Sequence, residues 1–600
     1  MAHKVCLACA LGMVWLLLEL VDATPNKDYR IPSWQWPQPS PSAHRYRTPP
    51  AYDIQLNVTL NQPSDFDHNG SIIVRFSLLN EPEVNRTELA LHTARPLRVE
   101  RACECADASE RCEPLQPCLL FAEDTANEIT VFKRNDLSPF ALLSVGSRRN
   151  PLKRVTMQIW YKFRISTDSK RRGVFSTANY HLATRLAPIH ARQLFPCMDE
   201  PRIKANFKLG LSISPIASEP RPDGYMSSGR VTTRRYVDDR MEVDFHTVER
   251  MSTQQINVYV VRNRVTVKEW HAPDYVVVHG HLSDDTLDRL MISTRGIVAR
   301  MKALLGQDPP TMSHAALLAD AVDFTTSGAR TIYGNHRPER VLIAQLLRDY
   351  FERRVGYAWW SDRWITEGLV AFFEVKLLSH DEESDREREM RHITERATSL
   401  SAESDKPLNH DPYPFLPATY LHRVRPIGEI RYHSAAIIRL VEKYLGAELF
   451  MTRIKRYLNS ADFQERSVTS AQFVTYMSRD VPNLGNIMDS FVKNRGMPRV
   501  VVEFHPDTGE FHFKQQSIVP GMNRRWTIPI FYSIEGREQR LPLILEPDAE
   551  VTKLPKASGR RIYRFNLNAI APIKVVPTGL IKDYSSELDE MHEHELSVTA

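Results

Sequence analysis

Alternation of apolar and polar residues marks the first part of the chain. The segments Tyr52–Val58, Ser71–Phe76 and Val155–Tyr161 each repeat with a period of two. This period turns one face of a strand toward a core, and such segments spaced by turns are typical of a β-sandwich. The pattern predicts an N-terminal β-sandwich domain over residues 46–265.

The hydrophobic period becomes helical from about residue 284. The predicted helices include Leu342–Val355, Asp362–Leu378, Ser434–Leu445, Glu448–Leu458 and Ser470–Met477. We therefore expect a mainly helical domain over residues 266–498.

Alternation returns after the helical block, in Val500–Phe504 and Trp526–Tyr532. It predicts a small C-terminal β-sandwich over residues 499–580. The acidic tail 581–600 is predicted to be disordered because it carries few residues that could build a core. The expected fold class is multidomain α+β.

The first residues indicate the compartment. Lys4 precedes the apolar run Val5–Val21, and the small residue Ala23 follows, so the pattern predicts a signal peptide over 1–23. A Pro-rich leader occupies 24–45. A signal anchor is the alternative. Since the rest of the chain has no further apolar run of membrane-spanning length and a polar end, we expect a secreted protein without a stable membrane anchor.

Composition excludes several classes of protein. Hydrophobic residues make up 42%, aromatic residues 9% and charged residues 25%, which are globular values and not those of a collagen, a coiled-coil rod or a mostly disordered chain. The 78 basic and 73 acidic residues leave a net charge of +5. This charge is small for the length, so no nucleic-acid partner is expected.

Four cysteines lie close together in the first domain: Cys103, Cys105, Cys112 and Cys118. In an oxidising compartment they predict two local disulfides, whose connectivity the sequence leaves open. A zinc site is the alternative, but the spacing lacks the usual pairs of cysteines separated by two residues. Cys197 is expected to be a buried thiol.

Three glycosylation sequons fall within thirty residues, at Asn57, Asn69 and Asn85. Their density suits an exposed face of a secreted domain.

Several segments carry a resemblance to a known family. Phe195–Pro201, Met251–Thr253 and Trp359–Gly368 resemble signature segments of the gluzincin aminopeptidases, the aminopeptidase N family. The resemblance covers about residues 46–580 and implies a β-sandwich, a thermolysin-like mainly helical domain and a small β-sandwich. Family members usually continue into a large helical C-terminal domain, for which the resemblance finds no counterpart in this chain.

The resemblance implies a zinc site that this chain has altered. The family places His-Glu-x-x-His on one helix and a third ligand, a glutamate, eighteen intervening residues later. The first histidine aligns with Ala344, the general base with Gln345, the second histidine with Arg348 and the third ligand with Glu367. Eighteen residues separate Arg348 from Glu367. Only Glu367 is retained, so no cofactor is expected, although the family's cofactor is Zn²⁺.

The substrate-binding positions implied by the resemblance are altered as well. The family's amine-binding segments align with Gly328, Ala329 and Thr331 and with Arg185 and Ala187. Tyr432 matches the tyrosine that stabilises the oxyanion. Outside catalysis, Tyr432 would be a core ring and Glu367 an ordinary helix carboxylate, and without the metal these interpretations are favoured.

Two further histidine pairs could bind a metal: His279 with His281, and His592 with His594. Neither pair has an obvious third ligand, and surface histidines explain both more simply.

These positions lead to a function hypothesis. We expect a non-catalytic, secreted, glycosylated protein that binds peptides or an extracellular protein partner. A zinc aminopeptidase acting through an atypical site is the alternative, and a purely structural secreted component is a third. Arg348 is predicted to form an ion pair with Glu367 across two helices. The alternative is that Arg348 points into solvent.

Overall fold

The structure is a computed structural model. It describes residues 52–578, apart from short gaps and longer ones at 61–67, 80–87, 134–151, 215–223, 325–331, 410–426 and 518–524, together with residues 596–599. The predicted signal peptide and the predicted Pro-rich leader lie outside the described residues. The chain divides into two compact units. The first comprises the residues up to Asp199 with Lys204–Arg221 and Gly229–Glu249, and the second comprises the remainder.

Strands dominate the first 252 residues. They are β1 Tyr52–Leu60, β2 His68–Leu79, β3 Glu88–Thr93, β4 Arg98–Cys105, β5 Cys112–Asp124, β6 Asn127–Lys133, β7 Leu152–Phe163, β8 Gly173–Phe175, β9 Tyr180–Arg185, β10 Lys204–Ile213, β11 Gly224–Ser227, β12 Val231–Val237, β13 Arg240–Phe245 and β14 Val248–Ser252.

The first unit is built on one large sheet, with strand order β12-β13-β10-β1-β2-β7-β4-β5-β6-β3. Strand β1 lies inside it, antiparallel to β2 and parallel to β10. Ile54, Leu56 and Val58 are buried while the residues between them are half-buried, as a period of two requires. The prediction of a β-rich N-terminal region is therefore confirmed, whereas its arrangement as a β-sandwich stays a prediction.

Short strands precede and interrupt the helices of the second unit. They are β15 Val258–Val261, β16 Thr266–Trp270, β17 Tyr275–Gly280, β18 Met312–Ala316, β19 Asp320–Phe324, β20 Ile332–Gly334, β21 Gly356–Tyr357 and β22 Ser467–Val468. Strands β16, β17 and β18 form one sheet, and β19 pairs with β20.

The helices of the second unit are α1 Asp284–Leu305, α2 Pro338–Arg354, α3 Trp364–Leu378, α4 Glu383–Ala402, α5 Ile427–Leu445, α6 Ala447–Asn459, α7 Ser470–Met477 and α8 Leu484–Lys493. The helical region predicted from periodicity is confirmed. Helix α4 was not among the segments predicted by period. It is strongly charged, and among its residues Met390, Ile393 and Ala397 are buried.

The second unit ends in further strands, which are β23 Pro498–His505, β24 Glu510–Ser517, β25 Ile528–Ile530, β26 Tyr532–Ile534, β27 Arg537–Glu538, β28 Leu543–Leu545, β29 Thr552–Pro555, β30 Ile562–Phe565, β31 Lys574–Thr578 and β32 Leu596–Thr599. One continuous hydrophobic core extends from α1 to β31. The structure therefore groups the helices and these strands in one unit, where the sequence pattern separates them at residue 499.

The prediction of a disordered tail over 581–600 is wrong for residues Leu596–Thr599. They form β32, which pairs antiparallel with β30. The physical reason is local alternation: Leu596 and Val598 repeat with period two beside an available strand edge, and this pairing satisfies backbone groups that a composition argument does not consider.

Across the described residues, no helix is long and apolar enough to span a membrane.

Candidate functional site

Helix α2 carries three of the aligned zinc-site positions. Ile343, Leu347 and Phe351 recur four residues apart and are each at most 1% exposed, so this face anchors the helix in the core. Arg353 and Arg354 occupy the last turn, where positive charge favours the helix C-terminus. Ala344, Gln345 and Arg348 are also buried.

Helix α3 presents Glu367 from its first turn. The Asp362 carboxylate fixes the start of this helix, because it accepts hydrogen bonds from the backbone N–H of Trp359 at 3.1 Å and of Ser470 at 2.7 Å. Gly368 follows Glu367. A Cβ there would lie 2.8 Å from the Ser434 Cβ, so the missing side chain lets α3 approach α5 closely. Glu367 is thereby held between packed helices.

Arg348 and Glu367 form a bidentate ion pair between α2 and α3. The Arg348 Nε donates to Glu367 Oε1 at 3.2 Å, and its Nη2 donates to Oε2 at 2.7 Å. Both side chains are at most 1% exposed. The ion pair predicted from the sequence is confirmed, and the alternative of a solvent-facing Arg348 is excluded.

A second guanidinium supports the same carboxylate. Arg363, one turn before Glu367 on the chain, places its Nη2 3.1 Å from Oε1. Burial by itself would raise the pKa of Glu367, but the positive charges of Arg348 and Arg363 lower it to about 2. Glu367 is therefore ionised across the physiological range.

Glu352 lies one turn beyond Arg348 on α2. Its Oε2 accepts a hydrogen bond from the Gln255 Nε2 at 2.7 Å. Burial raises the pKa of Glu352 to about 7, although Arg363 and Arg348 partly oppose the shift. This carboxyl group thus changes charge near neutral pH.

Helix α5 contributes Arg431 and Tyr432. Arg431 forms an ion pair with the buried Glu374 of α3, which Arg340 also contacts at 2.5 Å. Burial and the nearby positive charge of Arg348 lower the pKa of Arg431 to about 10. Tyr432 is half-buried, and the Arg396 guanidinium lies 5.7 Å from its ring centroid.

Several buried side-chain atoms on α2 have no hydrogen-bond partner among the residues that the structure describes. Both amide atoms of Gln345 and the Arg348 Nη1 are buried without a partner. A buried polar group left unsatisfied costs about 1–3 kcal/mol, so each such group calls for a physical explanation.

The aligned positions do not fit a zinc ion. Structural or catalytic zinc requires three or four N, O or S donors in tetrahedral arrangement. Ala344 supplies none, Arg348 is a cation, and the oxygens of Glu367 are taken by two guanidiniums. Among the residues that the structure describes, no three His, Cys, Asp or Glu side chains could hold a metal ion together.

The structure describes two of the five predicted substrate-binding positions. Arg185 ends β9 and Ala187 follows it, both half-buried and both in the first unit. Gly328, Ala329 and Thr331 lie outside the described residues. The roles that the resemblance implies for all five stay predictions.

The cysteine cluster does not match the prediction of two disulfides. Cys103 is a buried free thiol, whose pKa burial raises. The register between β4 and β5 explains this, since Cys103 pairs with Pro114 and Cys105 pairs with Cys112. The side chains of Cys105, Cys112 and Cys118 lie outside the described set. Cys197 is a buried thiol, as predicted.

The other predicted sites are described only in part. Asn69 is exposed, whereas Asn57 is half-buried in mid-sheet, with its amide 3.5 Å from the Ser71 hydroxyl. Asn85 lies outside the described residues, as do His281, His592, His594 and the side chain of His279. Glycosylation stays a prediction.

Comparison with known proteins gives the family. Residues 48–254 match the peptidase M1 N-terminal domain, and residues 314–493 match the peptidase family M1 domain. The chain belongs to peptidase family M1. The predicted membership in the aminopeptidase N family is confirmed.

The M1 relatives are aminopeptidases by name. Probable aminopeptidase 1 of Sulfurisphaera tokodaii is 24% identical over 447 residues, which cover 69% of this chain and 53% of the relative. Glutamyl aminopeptidase of Bos taurus is 24% identical over 66% of this chain and 43% of its own length. Aminopeptidase N of Homo sapiens is 22% identical over 67% and 46%. The chain spans about half the length of the curated relatives it matches.

Family membership contradicts the expectation that no cofactor is involved. M1 aminopeptidases are zinc-dependent, so the family points to Zn²⁺. The family is zinc-dependent, whereas in this chain Ala344, Arg348 and the doubly paired Glu367 do not form a zinc-binding set.

Five residues of the charged cluster were not predicted from the sequence: Arg340, Glu352, Arg363, Glu374 and Arg431. A signal was available for Arg363, which stands four residues before Glu367, the spacing of side chains that meet on one helix face. Glu352 and Arg431 had no comparable signal, because their contacts come from other elements.

Proposed function

We propose that this M1-family chain is a secreted protein that binds peptides or an extracellular protein partner without hydrolysing them. The observation that carries the proposal is the bidentate contact of Arg348 with Glu367 inside the helical core. Both oxygens of the Glu367 carboxylate are bound by guanidiniums, so neither is free to serve in catalysis.

The amide at position 345 supports the same conclusion. A general base must accept a proton from the attacking water, and the amide of Gln345 cannot do so at neutral pH. The loss of a general base alone lowers a rate by about 10²–10⁴-fold. Tyr432, aligned with the oxyanion-stabilising tyrosine, would have no activated nucleophile to assist.

The predicted signal peptide supports an extracellular location. The run Val5–Val21 after Lys4 is of the length and polarity of a secretory signal. Expression in cultured cells with detection in the medium tests this part, and retention in the membrane fraction would favour the signal-anchor alternative.

Family membership favours one competing function, a zinc aminopeptidase that releases N-terminal residues through an atypical site. Purified full-length chain should be assayed with fluorogenic leucyl, alanyl and glutamyl substrates, with and without a chelator. We expect no chelator-sensitive turnover. The zinc content of the same sample is measured in parallel, because the family is zinc-dependent.

Two variants sharpen the assay. Turnover that a chelator abolishes and that Glu367→Gln also abolishes would refute the proposal and establish the enzyme. The triple variant Ala344→His, Gln345→Glu and Arg348→His should gain zinc affinity if the surrounding residues still hold the site. The matched control Gln516→Leu alters an exposed glutamine of β24 and should change neither result.

A further inference from the structure

Three unpartnered hydrogen-bonding atoms lie on one face of α2. Gln345 and Arg348 are three residues apart and therefore neighbours on the helix surface. They are 2% and 1% exposed. The Gln345 Nε2 and Oε1 and the Arg348 Nη1 have no hydrogen-bond partner within the described part of the chain. Buried donors and acceptors of native proteins are nearly always satisfied, so the arrangement is complete only with an additional group.

The charge around these atoms is positive. Arg348 and Arg363 share the single carboxylate of Glu367, and Arg431 and Arg340 share that of Glu374. Glu389 also forms an ion pair with Arg340, at 2.7 Å. Three carboxylates, those of Glu367, Glu374 and Glu389, thus contact four guanidiniums, and Glu352 adds negative charge only when it is ionised.

A physical consequence of this excess is visible at Arg431. Its pKa falls to about 10 because it is buried and because Arg348 is close, while Glu367 opposes the change. Mutual repulsion of guanidiniums is relieved most directly by a bound anion. The missing group is therefore expected to carry negative charge.

We propose that Gln345, Arg348 and Arg431 form a binding site for a carboxylate group of a peptide. This inference rests on the proposed peptide-binding function and names the group that is recognised. The Gln345 Nε2 and the Arg348 Nη1 each donate one hydrogen bond to the carboxylate. The Gln345 Oε1 accepts one from a peptide N–H.

The exposure of the side chains indicates the direction from which a ligand reaches the site. Arg431 has 21% of its side chain exposed, and the adjacent Tyr432 is half-buried, whereas Gln345 and Arg348 are buried. A peptide therefore approaches along α5, with its backbone near Tyr432 and its carboxylate toward α2. The carboxylate comes either from the peptide C-terminus or from an Asp or Glu side chain.

A peptide mixture distinguishes these sources. Immobilised full-length chain is exposed to acetylated random pentapeptides, synthesised as free acids and as C-terminal amides, each with and without Asp and Glu in the mixture. Retained peptides are identified by mass spectrometry. We expect free acids to be enriched about tenfold or more over amides that lack acidic side chains, as charge-assisted hydrogen bonds imply.

Enrichment of amides containing Asp or Glu assigns the side chain as the source, and enrichment of free acids assigns the C-terminus. Equal retention of acids and neutral amides overturns the carboxylate inference and leaves peptide binding intact. Retention of no peptide overturns the inference and the peptide-binding function together.

A variant tests whether the site is the one proposed. Gln345→Leu removes the amide at nearly constant volume, and affinity for a retained acid should fall about tenfold, which is more than the fall for neutral amides because those lose only the hydrogen bond to Oε1. Gln516→Leu is the matched control. Unchanged acid affinity in folded Gln345→Leu would overturn the assignment, with an internal water then explaining the unpartnered amide. If that variant does not fold, the comparison of acids and amides on the unaltered chain still decides.

Discussion

Removal of the Arg348 guanidinium tests the central contact of the site. The variant Arg348→Ala leaves Glu367 charged and fully buried, with Arg363 as its remaining ion-pair partner among the described residues. Deleting one partner of a buried ion pair costs about 3–5 kcal/mol. Because Arg363 keeps its contact at 3.1 Å, we expect a loss near the lower end, about 3 kcal/mol in the free energy of unfolding.

The pKa of Glu367 gives an independent magnitude. Its fall from 4.5 to about 2 is worth about 3 kcal/mol, at roughly 1.4 kcal/mol for each pKa unit. A carboxyl group with a depressed folded-state pKa contributes stability that is present above pH 4.5 and is lost as the pH falls through 2. Arg348→Ala should therefore narrow the stability difference between pH 7 and pH 3.

The assay is urea unfolding followed by circular dichroism at pH 7 and pH 3. Arg353→Ala is the matched control, since it deletes an arginine of the same helix whose ion pair with Asp349 spans 3.8 Å, too long for a hydrogen bond. It should cost less than Arg348→Ala, because no hydrogen bond joins its guanidinium to the carboxylate at that distance. Ala344→Ser, which adds only a hydroxyl at a buried site, should also cost less than Arg348→Ala.

A double-mutant cycle completes the test. Arg348→Ala combined with Glu367→Gln should lose less stability than the sum of the single losses, by about 1–3 kcal/mol. Additive losses, or an Arg348→Ala variant within about 0.5 kcal/mol of the unaltered chain, would refute the reasoning.

Three further predictions concern the surroundings of this contact. Gly368→Ala should lower stability by about 1–2 kcal/mol in thermal or urea unfolding, because its Cβ would meet the Ser434 Cβ at 2.8 Å, and an unchanged melting temperature would contradict the close packing. Glu352→Gln should raise stability more at pH 8 than at pH 5. The folded-state pKa of about 7 makes the charged form unfavourable, so the stability linked to the protonated carboxyl is full below pH 4.5 and is lost as the pH rises through 7. An equal effect at both pH values would contradict it. Cys103 should react with a thiol reagent only after unfolding, and a disulfide peptide containing it in non-reducing mapping would contradict the free thiol.

Much of the architecture follows from the sequence by itself. Helical periodicity located α2, α3 and α5–α7, since each buries a stripe repeating every three or four residues. The interval of eighteen residues between Arg348 and Glu367 fixed their alignment. Opposite charges on adjacent packed helices then made the ion pair predictable, because an isolated buried carboxylate is unfavourable.

Other features depended on contacts distant in sequence. The hydrogen bond between Gln255 and Glu352 joins residues 97 positions apart. Strand β32 was missed because its pairing depends on the free edge of β30. Cys103 remained a thiol because strand register placed Pro114 opposite it, and register is set by the whole sheet.

The unpartnered amide of Gln345 shows the limit most clearly. Its position on α2 follows from periodicity, but its lack of a partner depends on the side chains of all the elements packed around it. Sequence pattern reports which residues a helix buries. Only the tertiary structure decides which polar atoms meet a partner inside, because hydrogen bonding and burial depend on distances of a few tenths of an ångström between segments that the chain keeps far apart.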